Sequence, residues 1–211
     1  MRIIRNYFYT AGYNLLILLT PLLTVPYISR VLGPTGVGIN ATTNSIITYF
    51  LLFGTVGITI YGNREIAFIR DNRGQRSQTF WEIEILQLLT ISCAYLAFLV
   101  FLFFEHQLQI YFFYQSFYII AGAVDISWYF MGLEDFKKTV LRNMLVKIAS
   151  VIAIFVFVKT RQDTGIYILI LAGSQVLGNL TLWPYLRHSV ERPNWRQLNL
   201  FRHLRPSLAL F

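Results

Sequence analysis

Charge is scarce in this chain. Only 13% of its 211 residues are Asp, Glu, Lys or Arg, against roughly a quarter in an ordinary soluble domain. Negative charge is scarcer still, with 10 acids facing 18 Lys and Arg. The single cysteine, Cys93, excludes an internal disulfide and says little about compartment. His106, His188 and His203 share no metal-ligand spacing with one another or with Cys93, so no metal site is expected. A P-loop, a GxGxxG turn and a GxSxG elbow are all missing. Glu82 and Glu84 stand two apart and point to different sides of a helix, and Glu134 and Asp135 sit at a loop edge. Carboxylates so placed are expected to face solvent or headgroups rather than to form a catalytic pair. Composition therefore supplies no catalytic residue and no cofactor site, and no enzyme is expected. Low-complexity tracts, extended linkers and a soluble domain are lacking as well.

What the chain has in abundance is apolar sequence: 55% of its residues are hydrophobic and 17% aromatic. Six long apolar stretches run from Phe8 to Leu32, Val37 to Tyr61, Phe80 to Phe104, Ile110 to Gly132, Val140 to Val158 and Gly165 to Leu186. A helix needs roughly 20 residues to cross about 30 Å of hydrocarbon, and each stretch meets that length. The first follows Arg2 and Arg5 but is too long for a signal peptide and ends at no small-residue cleavage site, so it reads as a retained span. The expected fold is an all-α integral membrane protein with six transmembrane helices.

Basic residues set its orientation. Arg2 and Arg5 precede the first span; Arg64, Arg70, Arg73 and Arg76 follow the second; Lys137, Lys138 and Arg142 follow the fourth; Arg187, Arg192, Arg196, Arg202 and Arg205 follow the sixth. The opposite loops offer Arg30, then none, then Lys159 and Arg161. By the positive-inside rule both ends are cytoplasmic. The same asymmetry accounts for most of the net charge of +8, so basicity calls for no nucleic-acid partner.

Polar residues inside the spans need an explanation, because a charge there costs about 2.5 to 3.5 kcal/mol on insertion scales. Asp125 near the inner end of the fourth span and Lys147 in the fifth lie at similar depth, roughly 10 Å in at about 1.5 Å per residue. A short loop would make these spans antiparallel neighbours, so Asp125 and Lys147 are expected to meet as an ion pair, either as glue between helices or as a coupling group. Asn143, Lys147 and Ser150 give the fifth span a polar stripe. Gln175 and Asn179, four apart, are candidates to line a cavity with Asn143, while the Ser and Thr residues can satisfy their hydroxyls on their own helices. Pro21 and Pro26 are expected to bend the first span. Aromatics from Ile110 to Tyr118, with Trp128, Tyr129 and Trp183, read as interface belts.

Three segments, PYISRVLGPTGVGI (Pro26 to Ile39), VGITIYGNREIAFIRD (Val56 to Asp71) and DISWYFMGLEDFKKTVLRN (Asp125 to Asn143), resemble the polysaccharide flippases of the Wzx type. These belong to the polysaccharide transport branch of the multidrug/oligosaccharidyl-lipid/polysaccharide exporter superfamily. The resemblance covers essentially the whole chain and is most distinctive in YGNRE and DISWYFMGLE. It implies movement of undecaprenyl-diphosphate-linked oligosaccharide repeat units across the bacterial inner membrane, by alternating access, ahead of capsule, exopolysaccharide or O-antigen assembly. It further implies two six-helix lobes of MATE-like fold around a cationic cavity, coupling to a proton or sodium gradient, and a neighbouring polysaccharide polymerase. Carried onto this sequence, Arg30 stands in SRVLG, Arg64 in YGNRE, and Asp125 and Arg142 in the third motif. Arg30, Arg64, Arg142 and Lys147 are thus candidate ligands of an anionic diphosphate, which guanidinium groups bind through paired donors.

Against that pattern the chain corresponds to a first lobe, residues 1–190, followed by a cytoplasmic linker over 191–211 whose LRPSLALF reads as the opening of a seventh span. A C-terminal lobe is then a missing partner. A small-molecule exporter of the same superfamily and a membrane glycosyltransferase acting on lipid-linked sugars are the competing readings; the second should carry a large outer loop or an acidic cluster.

Overall fold

The computed structural model describes residues 2–193, 195 and 198–210, with side chains from residue 15 onward except 17 and 136–138. Arg2, Arg5, Lys137, Lys138 and Arg196, which carry part of the predicted inner charge, lie outside the described residues or side chains. Among the described residues all regular structure is helical. The helices fall into six consecutive segments that coincide with the apolar stretches: α1 (Arg2–Val31); α2 (Gly33–Thr55) with α3 (Ile58–Phe68); α4 (Arg73–Phe104); α5 (Gln109–Gln115), α6 (Phe117–Ala123) and α7 (Ser127–Gly132); α8 (Phe136–Phe157); and α9 (Thr164–Leu180) with α10 (Trp183–Leu186). A short amphipathic helix, α11 (Phe201–Leu208), follows. Four of these segments, Gly33–Phe68, Arg73–Phe104, Thr139–Phe157 and Arg161–Leu186, are long and apolar enough to cross a membrane.

Packing closes the segments into a circuit. Helix α1 touches α2 and α8, α2 lies along α4, α4 meets α6, and α6 and α8 both pack on α9. The outward faces carry large apolar side chains such as Leu18, Leu22, Phe103, Phe104 and Phe157, each more than 60% exposed. A surface so apolar fits hydrocarbon, where burial inside the bundle is not needed to hide it.

The prolines do not stop α1, which runs through both Pro21 and Pro26. The second and fourth segments, by contrast, are interrupted. Between α2 and α3, Val56 and Gly57 both adopt left-handed backbone at φ 46° and 70°. Glycine bears this without cost, whereas a β-branched valine does so only under restraint. At the carbonyl of Val56 the restraint is visible: the Ser207 hydroxyl of α11 donates to it.

The fourth segment folds as three short pieces, and α7 swings onto α3. Trp128, Tyr129 and Phe130 of α7 are fully buried with Phe80 and Ile83 of α4 and Ile66 of α3. Trp128 stacks on Phe80 at 5.6 Å, and Tyr129 meets Phe80 edge-on at 5.0 Å. Trp128 and Tyr129, expected in an interface belt, are core residues instead, because the break before α7 turns them inward. Gly132 allows this approach: a Cβ there would fall 2.7 Å from the Asn63 carbonyl oxygen and 2.8 Å from Ile66 Cβ. Gly132→Val should therefore destabilise the fold by about 1–3 kcal/mol, since a backbone atom cannot retreat. Gly173→Ala, whose Cβ would meet nothing within 4 Å, should be neutral; thermal unfolding in detergent checks both.

Candidate functional site at a broken helix

Residues Val124 to Ile126 interrupt the fourth segment between α6 and α7 and so leave carbonyls without helical donors. Three side chains from two other segments fill the gap. Gln87 of α4, 3% exposed, donates its amide to the carbonyls of Gly122 at 2.7 Å and Asp125 at 3.0 Å. Asn179 of α9 donates to Ala121 O at 2.7 Å. The Trp183 indole N–H donates to Val124 O at 3.0 Å. A carbonyl left without a donor inside a helical bundle costs several kcal/mol, a penalty that each of these bonds removes.

Asp125 sits in the break, and its carboxylate accepts the Ser127 N–H at 2.9 Å, opening α7 as an Asx turn does. Among the described residues it forms no ion pair with Lys147, contrary to expectation. Helix α9 is the reason, because it packs against both α6 and α8 and keeps the fourth and fifth segments apart over most of their length. Lys147 is instead half-buried on α8, one turn before Ser150, whose hydroxyl bonds back to the Lys147 carbonyl.

The other predicted residues scatter. Gln175 is exposed while Asn179 is 1% exposed, so the pair does not share a cavity face. Arg142 is brought to the break: its guanidinium donates to Asn179 Oδ1 at 2.5 Å. Arg142 also lines a cavity of about 460 Å³ with Asp135, Leu145, Thr181 and Tyr185. Asn143 stands half-buried beside it on α8. Arg30 and Arg64 are exposed at opposite ends of the bundle, and Arg64 lies over the Phe68 ring at 5.6 Å.

A second polar cluster closes the basic end. Glu82 is fully buried, not solvated as its sequence position suggested. Its carboxylate accepts from Gln78 at 3.1 Å, the Asn199 N–H at 2.9 Å, His203 Nε2 at 2.7 Å and Arg202 at 2.5 Å. The Tyr61 hydroxyl pairs with His203 Nδ1 at 2.7 Å. The segment after α10 is drawn across α4 in the same way: Glu191 N–H donates to Ser77, Trp81 donates to the Glu191 carbonyl, and Arg76 donates to Ser189 O. The expected linker is thus pinned to α3 and α4.

Gln87 escaped the sequence reading, which placed Trp183 in an interface belt and Glu82 at solvent or headgroups and gave His203 no role. Gln87 was detectable as a lone amide inside ILQLLT, and Asp125-Ile-Ser127 as a capping signal inside an apolar run.

This architecture, a polytopic helical bundle with an apolar exterior and interrupted helices bonded from neighbouring segments, defines an integral membrane protein. The chain belongs to the polysaccharide biosynthesis protein family, which it matches over residues 3–210. It is similar to a protein of Escherichia coli (strain K12) named "Putative O-antigen transporter", with 28% identity over 170 residues, covering 77% of this chain and 40% of that protein. A protein of the same name from Shigella dysenteriae is 26% identical over 151 residues, covering 69% of this chain and 37% of its own length. The chain therefore spans about two fifths of the curated relatives it matches. No solved structure matches it.

Two outcomes test this geometry. Asn179→Ala strands the Ala121 carbonyl and removes one bond from Arg142, and should cost about 1–3 kcal/mol in unfolding measurements. Burial, outweighing the adjacent Glu82 carboxylate, holds the His203 imidazole below its ordinary value of 6.5. The unfolded chain therefore takes up a proton that the fold refuses. Stability should be full above that value and fall as pH drops below it, and His203→Gln should flatten the dependence in thermal melts.

Proposed function

We propose that this chain forms one lobe of a transporter that moves undecaprenyl-diphosphate-linked oligosaccharide from the inner to the outer leaflet of the bacterial cytoplasmic membrane by alternating access. The family match over residues 3–210 carries this reading, and the names of the two relatives, transporters rather than enzymes, support it. In this reading both chain ends are cytoplasmic, a second lobe completes the cavity, and a polymerase consumes the product.

Arg142 is the cation best placed for the cargo. It is held at a helix break by Asn179 and faces a cavity bordered by a hydroxyl and a phenol, Thr181 and Tyr185. A planar guanidinium in such a setting matches a diphosphate through paired donors, and hydroxyls suit a sugar. Lys147, Arg30, Arg64 and Asn143 would serve as way stations along the route.

The test is a flipping assay in proteoliposomes using the whole transporter that contains this segment. Lipid-linked oligosaccharide loaded inside should become accessible outside, and Arg142→Ala should slow this by roughly 10- to 100-fold, as loss of a charge-assisted contact implies. Arg142→Lys should restore the charge but not the paired geometry, giving partial recovery. Cargo that stays inside while binding is intact would refute the flippase reading; unchanged rates in Arg142→Ala would remove only that residue.

A further inference from the structure

At the basic end of the bundle a cavity of about 560 Å³ is walled by α4, the α9–α10 segment and the chain that follows it. Trp81, Trp183, Leu180, Val190, Arg187 and Arg192 line it. It shares no lining residue with the Arg142 cavity, which uses Thr181 and Tyr185 of the same segment. Leu186 ends the membrane-crossing segment Arg161–Leu186, and Trp81 stands where the apolar run of α4 begins. The cavity therefore opens at the level of lipid headgroups, where tryptophan and arginine are both at home.

Both indoles are held from behind. Trp183 spends its N–H on the Val124 carbonyl, and Trp81 spends its own on the Glu191 carbonyl at 2.9 Å while meeting Phe80 edge-on at 5.3 Å. An indole has one donor and no acceptor, so these two can offer the cavity ring surface alone. Polar capacity is confined to the charged side chains. Glu191 also lines the cavity, but its carboxylate is countered by Arg73 at 3.4 Å. Arg76 is committed to the carbonyls of Arg70 and Ser189. Arg187 and Arg192 are exposed, and among the described residues their side chains make no hydrogen bond or ion pair.

That combination selects a ligand. A bare sugar needs several convergent hydrogen-bond partners, and a wall of spent indoles, Leu180 and Val190 supplies none. A free inorganic anion would give up water for apolar wall without return. A molecule with phosphate at one end and hydrocarbon at the other satisfies both halves, because guanidinium forks suit phosphate and indole rings suit an amphipathic neck. Basic pockets between membrane helices hold anionic headgroups on these grounds. We propose that this cavity binds the headgroup of an anionic phospholipid, with Arg187 and Arg192 on the phosphate and Trp81 and Trp183 against the glycerol and first chain carbons. The site is independent of the cargo proposed for the Arg142 cavity.

Native mass spectrometry of the whole transporter that contains this segment, titrated in detergent with phosphatidylglycerol, cardiolipin or phosphatidylethanolamine, tests the site. The two anionic lipids should bind ahead of phosphatidylethanolamine. Arg187→Ala and Arg192→Ala should each weaken them about 5-fold, and the double variant about 30-fold, the effect expected of one and two cations at a membrane surface. Arg205→Ala removes the same charge from α11, outside the cavity, and should leave binding unchanged. Equal binding of phosphatidylethanolamine, undiminished binding in the double variant, or an equal loss in Arg205→Ala would overturn the proposal. Two competitions on the unsubstituted protein need no variant to fold. Neither excess inorganic phosphate nor undecaprenyl diphosphate should displace the bound phospholipid. Displacement by the first would make this a site for free anions, and displacement by the second would assign it to the cargo; either result sinks the phospholipid site.

Discussion

A carbonyl exposed by a helix break inside a bundle needs a donor from elsewhere, and much of this structure follows from how four carbonyls at one break are bonded. Between α6 and α7 the carbonyls of Ala121, Gly122, Val124 and Asp125 are claimed by Asn179, Gln87 and Trp183. Those donors come from α4 and the α9–α10 segment, so the break locks three segments together. It also lets α7 turn away from the line of α6 and deliver Trp128 to Phe80 and Gly132 to Asn63. Non-helical backbone at such depth is tolerated only where protein covers it, and here the cover is also the main core.

The second interruption obeys the same rule through a different donor. Val56 holds a left-handed conformation, and its carbonyl is met by Ser207 of α11, far along the chain. Helix α11 is in turn anchored by His203 and Arg202 to Glu82. A kink within the second segment is thus coupled to the polypeptide that leaves the bundle. Any tilt of α3 against α2 must move Ser207, and with it the Tyr61–His203–Glu82 chain.

Apolar length was legible in the sequence because hydrocarbon imposes it residue by residue: α4 and α8 end at Phe104 and Phe157, within a residue of the stretches that end at Phe104 and Val158, although both helices start earlier, at Arg73 and Phe136. The broken fourth segment was not, since IYFFYQSFYIIAGAVDISWYFMG is apolar throughout and its interruption rests on distant donors at Gln87, Asn179 and Trp183. The ion pair between Asp125 and Lys147 failed for a related reason. Adjacency was assumed from loop length, whereas α9 is intercalated between those segments. Asn179 and Arg142 were both singled out from sequence, yet their direct bond was not foreseeable, because it depends on that same intercalation.

The shared position of Asn179 has a mechanical consequence. One of its amide ends holds Ala121 O in the break and the other holds the Arg142 guanidinium at the cavity wall. An anion that draws Arg142 toward itself competes with Asn179 for the same donor. Weakening that bond frees Asn179 to rotate, and a rotated amide cannot keep its grip on Ala121. An anion bound at Arg142 and closure of the break would therefore oppose each other through a single side chain, while Gln87 holds the adjacent carbonyls from the α4 side. A broken helix gripped from two sides can yield on one and remain anchored on the other, which a continuous helix with internal bonds cannot do.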